Sequence, residues 1–217
     1  MSTTTLKSQY MKWLVMLAIA DLIIVLLFLV PGFSTGASLA ELGNWRLLTT
    51  IVIPVLIVLM VNVLPHKVKC MLVYWKPHGW LPGCAVFTKF GPGDVRIDME
   101  ALERNVGMLP TEPHKQNARW YQLYKQIENE PEIAEAHRSF LMYRDMAVLS
   151  LPFIALAPLF LYFSGSSPGP QWLGATLFTV QYLLTAISGR NNGIRFVTNV
   201  LAVHSARNVS AKTVRVT

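Results

Sequence analysis

The sequence is short of charge, of cysteine and of every short motif that would announce an enzyme. Charged residues make up 14% of its 217 residues, against roughly a quarter in a soluble domain. That deficit excludes a water-exposed surface over much of the chain. Only two cysteines are present, Cys70 and Cys84, which excludes a disulfide framework and fits thiols facing a reducing cytoplasm. Close-set metal pairs are missing as well. His66, Cys70, His78 and Cys84 do not have the C-x2-C type of spacing that zinc sites use, so no metal and no cofactor is expected. There is no G-x-S-x-G, no H-E-x-x-H and no phosphate-binding glycine loop, and no residue is assigned a catalytic role. Gly91-Pro92-Gly93 reads as a turn, because proline removes a donor where a phosphate would need one.

What the chain has in abundance is apolar sequence: 53% hydrophobic residues, with a mean hydropathy of +0.40. It is gathered into four runs, 13–30, 47–64, 146–163 and 172–187. An 18-residue helix rises about 27 Å, close to the thickness of a bilayer's hydrocarbon core. The expected fold class is therefore an all-α membrane protein of two helical hairpins. Pro31-Gly32 ends the first run, and no cleavable leader is expected there. Pro54, Pro152 and Pro158 fall inside runs, where proline bends membrane helices.

The expected organisation has four parts: an N-terminal flank and hairpin over 1–64, a module over 65–145, a second hairpin over 146–187 and a basic tail over 188–217. Net charge is +7. Eighteen of the nineteen Lys and Arg fall in the N-terminal flank, the module and the tail, and only Arg46 lies in a connector on the other side. The positive-inside rule then places both termini and the module in the cytoplasm of a plasma or bacterial inner membrane.

The module divides by charge. Residues 66–96 are basic, aromatic and rich in turns, and suit anionic headgroups. Short strands are expected at 71–75 and 85–90. Residues 97–145 carry nine acids and six bases and read as helical. Asp98 is placed to cap a helix that Gly107 ends, and Thr111 to cap the next. Trp120, Leu123, Tyr124 and Ile127 share one face of that helix. Pro131 starts a third, with no stop signal before the third span. In the tail, Ser188 to Gly193 reads as a turn. Phe196, Val197, Val200, Leu201 and His204 then form the apolar face of an expected interfacial helix.

Asp21 stands near the middle of the first span, where a charged carboxylate is costly. No Lys or Arg lies inside any span, so its polar partners are sought in Gln181, Thr179 and Thr176 of the fourth, with Asn62 a further intramembrane polar group. Asp21 then either responds to protons or holds helices together through hydrogen bonds. Lys76, His78, Trp80, Arg96, Trp120 and Tyr124 are the expected contacts for a partner or ligand. Trp75, Trp80 and Phe87 among basic residues suit base stacking, but membrane interfaces and small cores use tryptophan more often, so nucleotide or nucleic-acid contact is disfavoured. Arg190, Arg195, Phe196 and Arg207 are the expected membrane-interface residues. His114 and His137 beside several glutamates read as a solvated helix surface. Arg144-Asp145, His66, Asn62 and Arg190 fall at one boundary and are placed to meet.

Three functions fit this organisation. The first is a homo-oligomeric membrane effector or channel-like component whose module binds a soluble protein and couples to the membrane. The second is a passive anchor for a soluble partner, of the kind found in bacterial antiviral defence, exclusion or immunity systems. The third is a membrane-embedded enzyme acting on lipid. The bilayer itself is the one partner common to all three.

Overall fold

The computed structural model describes residues 6–24, 59, 62–76, 81–163 and 165–213. The first connector, nearly all of the second expected span, and His78 and Trp80 lie outside the described residues. Among those described, the chain is helical with no strand. Helix α1 is Leu6–Ile24, α2 His66–Tyr74, α3 Met99–Val106, α4 Pro113–Ile127, α5 Pro131–Phe163 and α6 Pro168–Thr213, with a 3-10 turn at Pro82–Ala85 and a π turn at Val86–Phe90. The strands expected at 71–75 and 85–90 are therefore helix and turn. Apolar runs this short fit either period. At the second, the Phe87 N–H donates to the buried Gln116 Oε1 at 3.0 Å instead of to a neighbouring strand.

The chain forms two compact units, Met1–Val73 with Leu141–Ile187, and Tyr74–Phe140 with Ser188–Thr217. In the first, α1 turns Tyr10, Leu14, Ala18 and Asp21 inward, a 4-4-3 spacing that follows one helix face. Leu149 packs on this face, with Met142 and Met146 beside it. A second cluster joins Ala157, Leu161 and Phe178, with Phe153 stacked on Phe178 at 5.3 Å. The outside of this unit is apolar. Among the described residues, all exposed large hydrophobic side chains except Trp75, Val95, Met108 and Tyr121 belong to it. One described helix, Pro131–Phe163, is long and apolar enough to cross a membrane, and only 33% of its apolar window is buried. Over 146–163, Ala155, Leu156, Leu159, Phe160, Tyr162 and Phe163 are exposed.

The second unit is built around residues 188–213 of α6. The tail was expected to turn at Ser188–Gly193 and begin a separate interfacial helix; instead the helix is continuous. Glycine and asparagine disfavour helix by up to about 1 kcal/mol each, and burial of the following turns outweighs this. Phe196, Val197, Val200, Leu201 and His204 are each at most 5% exposed, so the spacing read as a lipid-facing stripe is a core face. Phe196 packs edge-on to Trp120 at 5.2 Å and Tyr124 at 5.3 Å, and His137 stacks on it at 4.6 Å. The Trp120 Nε1–H donates to Val197 O at 3.3 Å. Gly193 permits a close approach: a Cβ there would collide with the Tyr74 hydroxyl and lie 3.0 Å from Phe140 Cδ2.

Local signals hold where they are strong. Asp98 caps α3, its Oδ1 accepting from the Ala101 N–H at 2.9 Å. Gly107, at φ 83°, ends α3 and donates its N–H to Glu103 O at 2.8 Å. Helix α4 begins at Pro113 with Glu112 rather than Thr111 at the cap position and no side-chain capping bond. Helix α5 starts at Pro131 and runs unbroken to Phe163 through Pro152 and Pro158.

Candidate functional site

The first unit holds a buried centre of opposite charges. Asp145, on α5, is fully buried. Its Oδ1 accepts from Lys69 Nζ at 3.2 Å and from Arg144 Nε and a second Arg144 nitrogen at 2.9 and 2.7 Å; its Oδ2 accepts from the Tyr10 hydroxyl at 3.0 Å. Lys69 and Arg144 are 5% and 6% exposed. The other end of Arg144 lies 2.6 Å from His66 Nδ1, and His66 Nε2 lies 3.5 Å from Cys70 Sγ. Three elements thus meet on one carboxylate: α1 through Tyr10, α2 through Lys69, and α5 through Arg144 and Asp145 itself, with the exposed His66 of α2 on the far side of Arg144.

The protonation states follow from this geometry. Desolvation of the ring, reinforced by the Arg144 and Lys69 charges, lowers His66 below the ordinary histidine range. Arginine only donates, so His66 receives it on Nδ1 and carries its own proton on Nε2, toward Cys70. Burial pushes the Cys70 thiol up to about 11, against the pull of Arg144. Burial and then Asp145 raise Tyr10 as well. Although Cys70 and His66 touch, they do not make a nucleophile–base pair: the thiol keeps its proton, and the lone pair of His66 is turned to a guanidinium. Among the described residues the centre brings together one carboxylate, one ammonium and one guanidinium. It holds three helices on one buried carboxylate.

A second polar layer lies further along α1, about 16 Å from Tyr10 at 1.5 Å per residue. Asp21 is 1% exposed and accepts from Gln181 Nε2 at 2.9 Å, and the same amide donates to Ser150 Oγ at 3.1 Å. The expected pairing of Asp21 with Gln181 is present. Thr179 does not join it, since its hydroxyl donates to Ala175 O on its own helix at 2.7 Å. Asn62 is exposed. Among the described residues, Leu14, Ala18 and Leu149 pack together between the layers as an apolar plug.

The remaining expected site residues scatter. His66 and Arg144-Asp145 do meet, as their place at one boundary suggested. Trp120 and Tyr124, expected to contact a partner, are 8% and 7% exposed core residues, because their helix face is covered by Phe196 and Val197. Phe196, expected at the membrane interface, is core for the same reason. Lys76, Arg195 and Arg207 are exposed, and Arg190 is half-buried. Arg96 donates to Asp94 at 2.7 and 3.0 Å, to Asn199 Oδ1 at 3.0 Å and to Thr198 Oγ1 at 3.3 Å. His137 is drawn into the core, its Nδ1 lying 3.1 Å from the Tyr124 hydroxyl. Among the described residues, no three His, Cys, Asp or Glu gather where they could hold a metal ion. Tyr10 and Lys69 were not anticipated at the centre. The available signals were the position of Tyr10 on the Leu14–Asp21 face, and of Lys69 one turn after His66.

Compared with protein-family models, characterised proteins and solved structures, the chain matches none of them.

Proposed function

We propose that this is a four-span membrane protein whose water-facing unit binds a soluble protein partner and biases the membrane-embedded unit, working as a homo-oligomer in a plasma or bacterial inner membrane. The spans are 13–30, 47–64, 146–163 and 172–187, with both termini and residues 65–145 on the cytoplasmic side. The observation that carries this reading is α5. It leaves the acidic turn at Glu132, passes the buried Arg144–Asp145 pair where the sequence changes from polar to apolar, and continues as helix to Phe163. Between Pro131 and Leu151 the helix holds no proline or glycine, so a displacement of its first turns is carried to the Arg144–Asp145 pair. The apolar plug within one protomer favours an output at a symmetry axis between protomers.

Topology is tested by single-cysteine labelling in a Cys84→Ser background, where Cys70 is fully buried. Cysteines at 76 and 207 should label only from the cytoplasmic side, and one at 165 only from the opposite side. Labelling of 165 together with 76 would refute the four-span arrangement. Native mass measurement in nanodiscs should give a homo-oligomer, and a strict monomer would remove the inter-protomer route. Exchange of the spans for an unrelated anchor should abolish output while sparing partner binding. Retained output would favour the passive anchor.

A further inference from the structure

A cleft in the second unit, independent of the number of spans, has the chemistry of a phosphate site. It is a shallow, open cleft of about 480 Å³ between the turn after Phe90 and the face of α6 that carries Asn191, Arg195 and Thr198. Three cations line it, Lys89, Arg96 and Arg195, against one acid, Asp94. Both Asp94 oxygens are already engaged by Arg96, at 2.7 and 3.0 Å. That pairing, with Thr198 and Asn199, fixes the guanidinium plane at the edge of the cleft. Lys89 and Arg195 are exposed and, among the described residues, form no ion pair. The lining therefore has a formal charge of +2, with Glu132 acting more weakly on Arg96 from outside it. An immobilised guanidinium with two unpaired cations beside it is the arrangement that receives a phosphate's charged oxygens. The exposed Asn191 side chain supplies a neutral donor.

We propose that this cleft binds the phosphate group of an anionic phospholipid headgroup. The lipid source is favoured over a soluble phosphate by Val95, which lies between Asp94 and Arg96 at the rim with its side chain wholly exposed. An apolar tip beside clustered cations enters the acyl boundary while the cations stay at headgroup level.

The test uses the full chain in neutral detergent. Binding of dioctanoyl phosphatidic acid, dioctanoyl phosphatidylcholine and glycerol 3-phosphate is measured by native mass spectrometry and thermophoresis. Phosphatidic acid should bind at least tenfold tighter than phosphatidylcholine. The Lys89→Gln/Arg195→Gln pair should weaken it at least tenfold, and Lys76→Gln/Arg207→Gln less than twofold. Glycerol phosphate bound as tightly as the lipid, and lost in the same double variant, would overturn the lipid source and assign the cleft to a soluble phosphate ester. Equal loss in the two double variants, or no preference over phosphatidylcholine, would overturn the site. Hydrogen exchange of the unmodified protein gives a readout free of folding effects: phosphatidic acid should protect 89–96 and 191–198, and protection elsewhere only refutes the assignment.

Discussion

Replacing Asp145 with asparagine should be among the most damaging isosteric changes in this protein. The carboxylate takes four hydrogen bonds, three of them from cations and one from Tyr10. The asparagine side chain has the same shape but one acceptor oxygen, and its amide would point donors at donors. One negative charge is lost from the centre, while Lys69 and Arg144 stay buried at 5% and 6% exposure. Removing one partner of a buried ion pair costs about 3–5 kcal/mol, because the other charge stays desolvated. Tyr10→Phe leaves the charges paired and removes one hydrogen bond to a charged group, for about 1.5–3 kcal/mol. The two changes act on the same atoms, so the double variant should lose clearly less than the sum of the single ones. Denaturant titration in mixed micelles, followed by circular dichroism, measures all three. A cost below about 1 kcal/mol for Asp145→Asn, or simple additivity with Tyr10→Phe, would show that the centre is hydrated and that the charge argument is wrong.

Three further outcomes are expected. Asp21→Asn keeps an oxygen facing Gln181 Nε2, which donates at 2.9 Å. It should therefore assemble normally, whereas Asp21→Leu should cost about 0.6–1.7 kcal/mol; loss of assembly in the asparagine variant would mean that a charge is required there. Gly193→Ala should destabilise by about 1–3 kcal/mol through overpacking against Tyr74 and Phe140, although alanine is the better helix former. Gly169→Ala, where a Cβ meets nothing within 4 Å, should be neutral or mildly favourable, and equal effects would deny the close approach. His204 is 1% exposed, lies 3.0 Å from Leu123 O, and is held below the ordinary histidine range chiefly by burial. Its neutral form is the folded one and the unfolded chain takes up the proton first, so its contribution is complete above about pH 6.5 and falls as pH drops below that. The slope is at most about 1.4 kcal/mol per pH unit. His204→Gln should flatten the pH dependence of the unfolding midpoint between pH 7 and 5, and an unchanged slope would place the effect elsewhere.

The sequence was most legible where one residue type does one local job. Asp98, Gly107 and Pro131 mark helix ends through their own backbone chemistry, and each marks one here. The absence of a breaker between Glu132 and Leu151 reads directly as a continuous α5. Asp21 was legible for a different reason: a buried acid must find a donor, and the apolar run over 172–187 offered few. Legibility fails where a local preference competes with packing. The Ser-Gly-Arg-Asn-Asn-Gly stretch has every mark of a turn. It is helix because Gly193 lets α6 lie against Tyr74 and Phe140, and because the turns beyond it are buried. The aromatic face of α4 was read correctly as a face but assigned to a partner, when its partner is α6 of the same chain. The link from Tyr10 to Asp145 crosses 135 residues of sequence, and no periodicity carries information over that distance.

The same long separations impose an order on synthesis. Lys69 leaves the ribosome well before Asp145, 76 residues later in sequence, and at 5–20 residues per second that interval is roughly 4–15 s. Asp21 waits longer still, for a glutamine 160 residues downstream. Throughout that interval Lys69 has yet to meet Asp145, and Asp21 has yet to meet Gln181. A chain that stalls before residue 145 therefore lacks the carboxylate on which α1, α2 and α5 meet.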